Sequence, residues 1–358
     1  MFDGKSILVT GGTGSFGRQF VQQVLVHHQP SRLIVYSRDE FKQAEMQADP
    51  AFQDASLRFF LGDVRDRERL NRAMQGVDIV VHAAALKQVP AAEYNPHEFI
   101  KTNINGAINV VECALDNHVD RVLALSTDKA VNPINLYGAT KLCSDKIFIA
   151  ANSYRGRKGT KLSVVRYGNV LGSRGSVIPR FLAQRASGII TVTDPDMTRF
   201  FLPVERGAEF VLQALRSMKG GELYVPKIAS CRLGDLVEAV APDCTVKIVG
   251  LRPGEKMHEV LIPQDEARLT REYPDHFVVQ PLLPFWDHVK LNGISRPVDA
   301  TFCYSSDTND DWFDLPELRR ICRRVEAELN RSQGTVPCAE GSRPVGRLTQ
   351  SGIPNLVS

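Results

Sequence analysis

The chain has 358 residues, 43% of them hydrophobic, which suits one large core or two domains and excludes a disordered or fibrous protein. Its formal charge of +3, with both signs well mixed, argues against nucleic acid as a partner, and no apolar run approaches a membrane span. Seven cysteines without CxxC or metal-ligand spacing read as reduced thiols, so no metal is expected. A strand pattern begins at Lys5, leaving no room for a signal peptide, and the expected location is cytoplasmic.

Ser6-Ile-Leu-Val9 is a short apolar strand followed at once by Gly11-Gly-Thr13-Gly14-Ser15-Phe16-Gly17. Phe20, Val21, Val24 and Leu25 then recur at helical spacing. Strand, glycine turn and helix in this order bind dinucleotides. Gly11 allows the turn, Gly14 lets a pyrophosphate approach the backbone, and Gly17 lets helix pack on strand. The anion sits at the helix N-terminus, where free N–H groups and the dipole favour it. Leu33–Tyr36 is a second strand, ending in Ser37, Arg38, Asp39, Glu40, Phe41 and Lys42. Ser37 and Arg38 stand where an NAD enzyme usually has an acidic residue, and with Lys42 they suit a 2′-phosphate, which favours NADP. Asp39 and Glu40 argue the other way, and Arg38 and Lys42 as plain surface charges remain the alternative.

Arg58–Leu61 is a third strand, followed by Asp63 and Val64; Asp63 suits either an adenine amino group or a helix cap. Asp78–His82 is a fourth strand running into small residues from Ala83, which let a cofactor lie against the backbone, with Lys87 as a phosphate or substrate contact. His82 lies inside an apolar run and is expected to be packed and hydrogen-bonded. Thr102-Asn103 begins or lines a helix that carries Ile108, Val111 and Ala114 toward the core.

Val122–Leu125 is a buried strand whose end presents Ser126, Thr127, Asp128 and Lys129 together. Tyr137 and Lys141 share a helix face, and a lysine ammonium beside a phenol favours the phenolate, making Tyr137 a base. Asp128 and Lys129 supply a second acid/base pair, more proton-transfer equipment than a simple dehydrogenase needs. Leu162–Val170 is another strand with a polar exit, and Ser173–Pro179 is a cationic turn. A substrate lobe is placed from residue 171 to 290, with returns to the nucleotide layer near 200–225 and 291–305. Arg206–Met218 reads as a helix and Glu222–Val225 as a strand. Arg252, on a Pro-Gly turn, suits bidentate phosphate binding, while Glu255 pins that turn in the alternative reading. Asp314–Glu317 is a capping box opening a final helix, after which the chain from 331 reads as a disordered tail.

These motifs together resemble the extended short-chain dehydrogenase/reductases, and more narrowly the inverting UDP-N-acetylglucosamine 4,6-dehydratases of pseudaminic acid biosynthesis. The carriers are GGTGSFG (11–17), YSRDEFKQ (36–43), GDVRD (62–66), HAAALKQVP (82–90), STDKAVNPINLYGATK (126–141), RYGNVLGSRGSVIP (166–179), DMTRF (196–200) and RPGEKMHE (252–259). The resemblance implies a Rossmann-type doubly wound parallel sheet with a smaller C-terminal lobe, a tightly held NADP, UDP-N-acetylglucosamine as substrate, and a homo-oligomer. By the same resemblance Thr13, Gly14, Ser15, Phe16, Ser37 to Lys42, Asp63, Val64, Lys87, Tyr137, Lys141 and Val170 contact the cofactor. Ala83, Lys87, Tyr137, Asn169, Arg174, Gly175, Ser176, Val177, Ile178, Pro179, Arg199, Arg252 and Glu255 line the nucleotide-sugar site.

The expected chemistry assigns each step to a residue. Tyr137 takes the sugar 4-hydroxyl proton as hydride leaves carbon 4, and the ketone acidifies carbon 5. Lys129 takes the carbon 5 proton, which requires a neutral fraction, and Asp128 protonates the departing 6-hydroxyl. Many retaining dehydratases carry Thr-Asp-Glu here; Lys129 replaces the glutamate, in accord with inversion. A retaining dehydratase, a nucleotide-sugar epimerase and a non-catalytic NADP-binding regulator are the alternatives.

Overall fold

The run Ser6–Thr10 (β1) is buried at every position, as a strand must be when helices cover both faces of its sheet. A computed structural model describes residues 1–154, 156, 159–172, 176–282 and 295–334. After β1 come α1 (Ser15–His27), β2 (Arg32–Ser37), α2 (Glu40–Ala48), β3 (Leu57–Leu61), α3 (Arg67–Ala73) and β4 (Ile79–His82). Then follow α4 (Val89–Tyr94), α5 (Pro96–Phe99), α6 (Gly106–Asp116), β5 (Arg121–Thr127), α7 (Leu136–Ala150) and β6 (Lys161–Tyr167). The strands run parallel in the order β3-β2-β1-β4-β5-β6. That order reverses direction between β1 and β4, the switch point at which a doubly wound sheet opens its ligand crevice. The expected Rossmann-type fold is present.

The second half of the chain is β7 (Asn169–Val170), α8 (Val177–Arg185), β8 (Ile189–Val192), β9 (Thr198–Leu202), α9 (Val204–Ser217) and β10 (Leu223–Pro226). It continues with β11 (Ser230–Arg232), α10 (Leu233–Val240), β12 (Thr245–Ile248), β13 (Val260–Ile262), α11 (Gln264–Ala267) and β14 (Thr270–Glu272). It ends with β15 (His276–Val279), β16 (Arg296–Pro297), β17 (Tyr304–Ser305) and α12 (Leu315–Gly334). β10 joins the main sheet parallel to β6, and β15, β14 and β16 extend it antiparallel. A second apolar core gathers Ile178 and Phe181 of α8, Ile190, Phe201, Leu236 and Val240, closed by Leu318, Ile321 and Val325 of α12.

Two sequence expectations need correction. The strand expected over 162–170 breaks at Gly168: β6 stays in the main sheet, whereas β7 pairs with β9 and carries the chain away. Ile108 is 41% exposed rather than buried. The π-helical turn Ile100–Asn105 sets the phase of α6, so its buried stripe is Ala107, Val110, Val111 and Ala114, with Ile108 beside it. The cationic turn at Ser173, Arg174 and Gly175 lies outside the described residues, as do residues 291–294 and the tail from 335; α12 itself continues to Gly334.

The capping box is formed reciprocally. Glu317 N donates to Asp314 Oδ1 (2.7 Å) and Asp314 N donates to Glu317 Oε2 (3.3 Å). Because α12 closes the second core, Asp314→Ala is expected to destabilise the protein by about 1 kcal/mol in urea unfolding. An unchanged midpoint would remove the cap from the account of how the lobe is held.

Candidate active site

β5 is apolar and buried, and its last residues turn from strand into a short 3-10 turn at Asp128–Ala130. Asp128 is fully buried. Its Oδ1 accepts from Thr127 Oγ1 (2.8 Å) and from Lys129 Nζ (3.0 Å), while Oδ2 has no hydrogen-bond partner. The Lys129 ammonium also donates to Asn169 Oδ1 (3.3 Å) on β7 and lies 3.4 Å from Glu259 Oε1. Burial alone would lower the Lys129 amine, but Asp128 and Glu259 outweigh it and push it above the ordinary lysine range. The neutral fraction expected from burial and neighbouring cations is therefore not favoured; the two carboxylates hold the proton on.

α7 brings the phenol to this turn. Asn135 Oδ1 caps the helix by accepting from Gly138 N (2.8 Å). A Cβ on Gly138 would lie 2.0 Å from the Lys129 carbonyl oxygen, so only glycine lets the helix dock this closely. Burial pushes the Tyr137 hydroxyl up to about 12, opposed first by the charge of Lys129 and then by a hydrogen bond with Thr127. The cation that most favours the phenolate is thus Lys129, in place of the expected Lys141. Lys141 is itself buried, which lowers its amine, with Asp145 one turn further on pulling the other way. Asp145 accepts from Ser126 Oγ (2.7 Å) and lies 3.8 Å from buried Arg166, which pairs with Glu266 at 2.8 Å.

The crevice beside β1 fits a dinucleotide. Gly11 has φ +67°, and a Cβ there would lie 2.9 Å from the Ala84 backbone. A Cβ on Gly17 would meet the backbone of Gly12 at 2.5 Å, so this glycine packs helix on glycine loop rather than on the strand. No side chain caps α1 at Gly14, leaving its N-terminus to an anion. Ser37 is buried and hydrogen-bonded to Thr13 (2.9 Å). Asp39 caps α2 through Lys42 N (3.1 Å) and pairs with Lys42 Nζ (2.6 Å), while Arg38 is half exposed, 3.5 Å from Asp63. Glu40 and Phe41 lie in the first turn of α2. Asp63 is no helix cap, a task Asp66 performs; its carboxylate grips Arg65 (2.8 Å). Val64 is buried against Gly106 at the start of α6, Lys87 is exposed in the loop after β4, and Ala83 and Val170 are half buried. Asn103 is buried and bridges Leu86 N, Leu86 O and Thr140, fixing the loop after β4 against α7.

On the lobe side the expected residues divide. Arg199 is occupied within the protein, donating to Thr198 O, Met257 O and Lys256 O, with its Nε 4.0 Å from Glu259. Arg252 is part exposed and Glu255 holds its turn, accepting from Arg252 N (3.4 Å) with the ion pair at 3.8 Å. That turn is docked on α7 by Asn135 Nδ2, which donates to Gly254 O (2.9 Å). Ser176 precedes α8 with a buried, unpartnered hydroxyl, Val177 and Pro179 are half buried, and Ile178 packs inside the second core. Arg174 and Gly175 lie outside the described residues. Sequence reasoning passed over Glu259, Lys256 and Arg180. Lys256 donates to Val131 O (2.6 Å), and Arg180 lies in the field of Arg252. The first two stand inside RPGEKMHE, yet nothing in that string shows which way they point. No metal-ligating cluster occurs among the described residues, and no helix there is long and apolar enough to cross a membrane.

Solved structures share this fold. Pen from Bacillus thuringiensis matches with a TM-score of 0.83 and 35% identity, covering 91% of this chain and 99% of that one. DesIV, a dTDP-glucose 4,6-dehydratase from Streptomyces venezuelae solved with NAD and TYD bound, matches at 0.63 and 26% identity over 70% and 86%. Fold and site thus define an extended short-chain dehydrogenase/reductase with a nicotinamide-dinucleotide crevice. A family model for a polysaccharide biosynthesis protein matches residues 7–281. The inverting UDP-N-acetylglucosamine 4,6-dehydratase of Campylobacter jejuni is 48% identical over 334 residues, 91% of this chain and 99% of its own. The chain belongs to the polysaccharide biosynthesis family, among the inverting UDP-N-acetylglucosamine 4,6-dehydratases, which are hydro-lyases.

His82 is packed and hydrogen-bonded, as expected. It is buried, its Nδ1 is hydrogen-bonded to Thr10 Oγ1 (2.8 Å), and burial, helped by Lys141, lowers it to about 3. Its folded value lies below the unfolded one, so its contribution is complete above about pH 6.5 and is lost as pH falls toward 3. His82→Asn is expected to flatten the pH dependence of unfolding free energy between pH 4 and 6 by about 1.4 kcal/mol per unit. An unaltered slope would show that His82 is not the group responsible.

Proposed function

We propose that this chain converts UDP-N-acetylglucosamine into UDP-2-acetamido-2,6-dideoxy-β-L-arabino-hex-4-ulose, inverting carbon 5, with an NADP that is restored in each turnover. The observation that carries the reading is the Asp128–Lys129 pair beside Tyr137, with Asn169 on the far side of the ammonium. A nicotinamide dinucleotide, held by the glycine loop at 11–17, Ser37 and Lys141, would supply the hydride acceptor for carbon 4 and the hydride donor for carbon 6. Tyr137 takes the 4-hydroxyl proton, supported by the Lys129 charge and the Thr127 hydrogen bond. Lys129 removes the carbon 5 proton, and Asp128 gives a proton to the departing 6-hydroxyl, whose oxygen has the unpartnered Oδ2 to meet, so that water leaves; carbon 5 then takes one proton on the opposite face, matching the one Tyr137 took from the 4-hydroxyl. Lys141 anchors the cofactor, and Arg252 receives a diphosphate.

NADP is preferred over NAD because β2 ends in Ser37 and because Asp39 is engaged as a cap and with Lys42, with half-exposed Arg38, 3.5 Å from Asp63, as the guanidinium for a 2′-phosphate. The exposed apolar residues Ile108 and Tyr154, on and just after the neighbouring helices α6 and α7, support a homo-oligomer. A cytoplasmic location fits the nucleotide-sugar substrate.

Proton NMR of UDP-N-acetylglucosamine with purified enzyme in D2O, without added cofactor, is expected to show a new 6-methyl signal, inverted configuration and deuterium at carbon 5. Lys129→Ala should lower the rate by about 10²-fold or more. A methyl signal with the original configuration would keep the dehydratase and discard Lys129 as the cause of inversion. A 4-epimer without methyl would replace the reading with an epimerase.

A further inference from the structure

Glu259 is a buried carboxylate to which the mechanism above gives no task. Its side chain is 3% exposed, Oε1 lies 3.4 Å from Lys129 Nζ, and Oε2 has no hydrogen-bond partner. The other charges facing it are Asp128 beside the same ammonium, Arg199 from β9 and Lys256 from its own turn, both at 4.0 Å. The backbone is clamped: Glu259 N donates to Ser306 Oγ (2.9 Å), and Glu259 O accepts from Ser306 N (2.9 Å). Ser306 Oγ is in turn bonded to Thr198 Oγ1 (2.7 Å), which meets His258 Nδ1 at 2.8 Å. A carboxylate this buried and this sparsely hydrogen-bonded is costly to keep charged. Burial and Asp128 push it up, while Lys129, Arg199 and Lys256 pull it down, with a net rise.

We propose, resting on the dehydratase reading, that Glu259 is the proton acceptor that frees the Lys129 amine for the carbon 5 step. A proton passes from Lys129 Nζ to Glu259 Oε1: an N–H bond breaks, an O–H bond forms, and no electrons change hands. The pair begins as ammonium and carboxylate and ends as amine and acid, so its net charge inside the protein is unchanged. The neutral amine then takes the carbon 5 proton. The proton taken from carbon 5 then passes from Lys129 Nζ to Asp128 Oδ1, which already accepts from Nζ at 3.0 Å, and from Asp128 to the departing hydroxyl, which leaves as water. Glu259 returns its proton to the amine, and the resting state is restored. Glu259 acts through Lys129 and is in this sense a positioning residue.

The test compares Glu259→Gln and Glu259→Asp with wild type as cofactor-loaded enzyme. Single turnovers in D2O measure deuterium entry at carbon 5 against formation of reduced nicotinamide, read by absorbance. In E259Q the ratio of exchange to hydride transfer is expected to fall about 10²-fold, and the residual exchange to rise about tenfold per pH unit as solvent takes over the Lys129 proton. E259D, which keeps a carboxylate, should recover part of that ratio. A ratio within about threefold of wild type in E259Q, or an equal loss in both steps, would overturn the proposal. If E259Q fails to fold, the wild-type profile decides: exchange flat from about pH 6 to 9 supports internal transfer, and exchange rising tenfold per unit rejects it. A wild type that makes no 6-methyl product removes the dehydratase reading itself, a failure distinct from one confined to E259Q.

Discussion

A buried ammonium must find negative partners, and the structure around Lys129 is arranged to supply them. Asp128 comes from the same turn, whereas Glu259 comes from the segment before β13. Removing either carboxylate would leave charge in a low-dielectric interior, where desolvation is expensive. The lysine therefore ties the end of β5 to a distant part of the chain. Its retained proton defines what the proposed chemistry has to overcome. A lysine that serves as a base must first be relieved of that proton, and among the described residues two buried carboxyls, Asp128 and Glu259, lie within 3.4 Å of its Nζ.

The same demand explains why α7 and the turn at 252–255 are held so firmly. Gly138 lets α7 lie on the Lys129 carbonyl, Asn135 caps that helix and also grips Gly254, and Leu136 N donates to Glu93 Oε1 at 2.7 Å. Arg199 spends its donors on Thr198, Lys256 and Met257, so it shapes the wall behind Glu259. Each contact is modest in free energy. Together they fix the distances between a phenol, an amine and two carboxyls, and proton transfer depends on distance more than on any single contact.

The division of labour follows the fold. The parallel sheet opens a crevice at its switch point, where folds of this kind bind dinucleotides, and β7 and β9 pair outside that sheet. Because β7 leaves the main sheet to pair with β9, Asn169 is carried across to meet the Lys129 ammonium. Polysaccharide-precursor dehydratases and epimerases share the sheet. The inverting reading rests on the residue type at position 129, a lysine.

Local pattern made much of this legible. The glycine loop, the alternation of buried strands with amphipathic helices, the face shared by Tyr137 and Lys141, and the capping box at Asp314 each depend on residues a few positions apart. Spacing along one element dictates such features, so the Rossmann order and the Ser126–Lys129 cluster follow from reading the chain. The partners of Lys129 did not. Glu259 stands far away in sequence, and its position depends on how β13, paired with β17, docks against the turn after β5. The internal partners of Arg199 and Asp63 came only with packing, and Ile108 left the core once the π turn set the phase of α6. The sequence by itself determined which residues share an element and a face. Only the tertiary structure decided which charges from different elements face each other, because burial and electrostatic coupling depend on distances in space that no local period encodes.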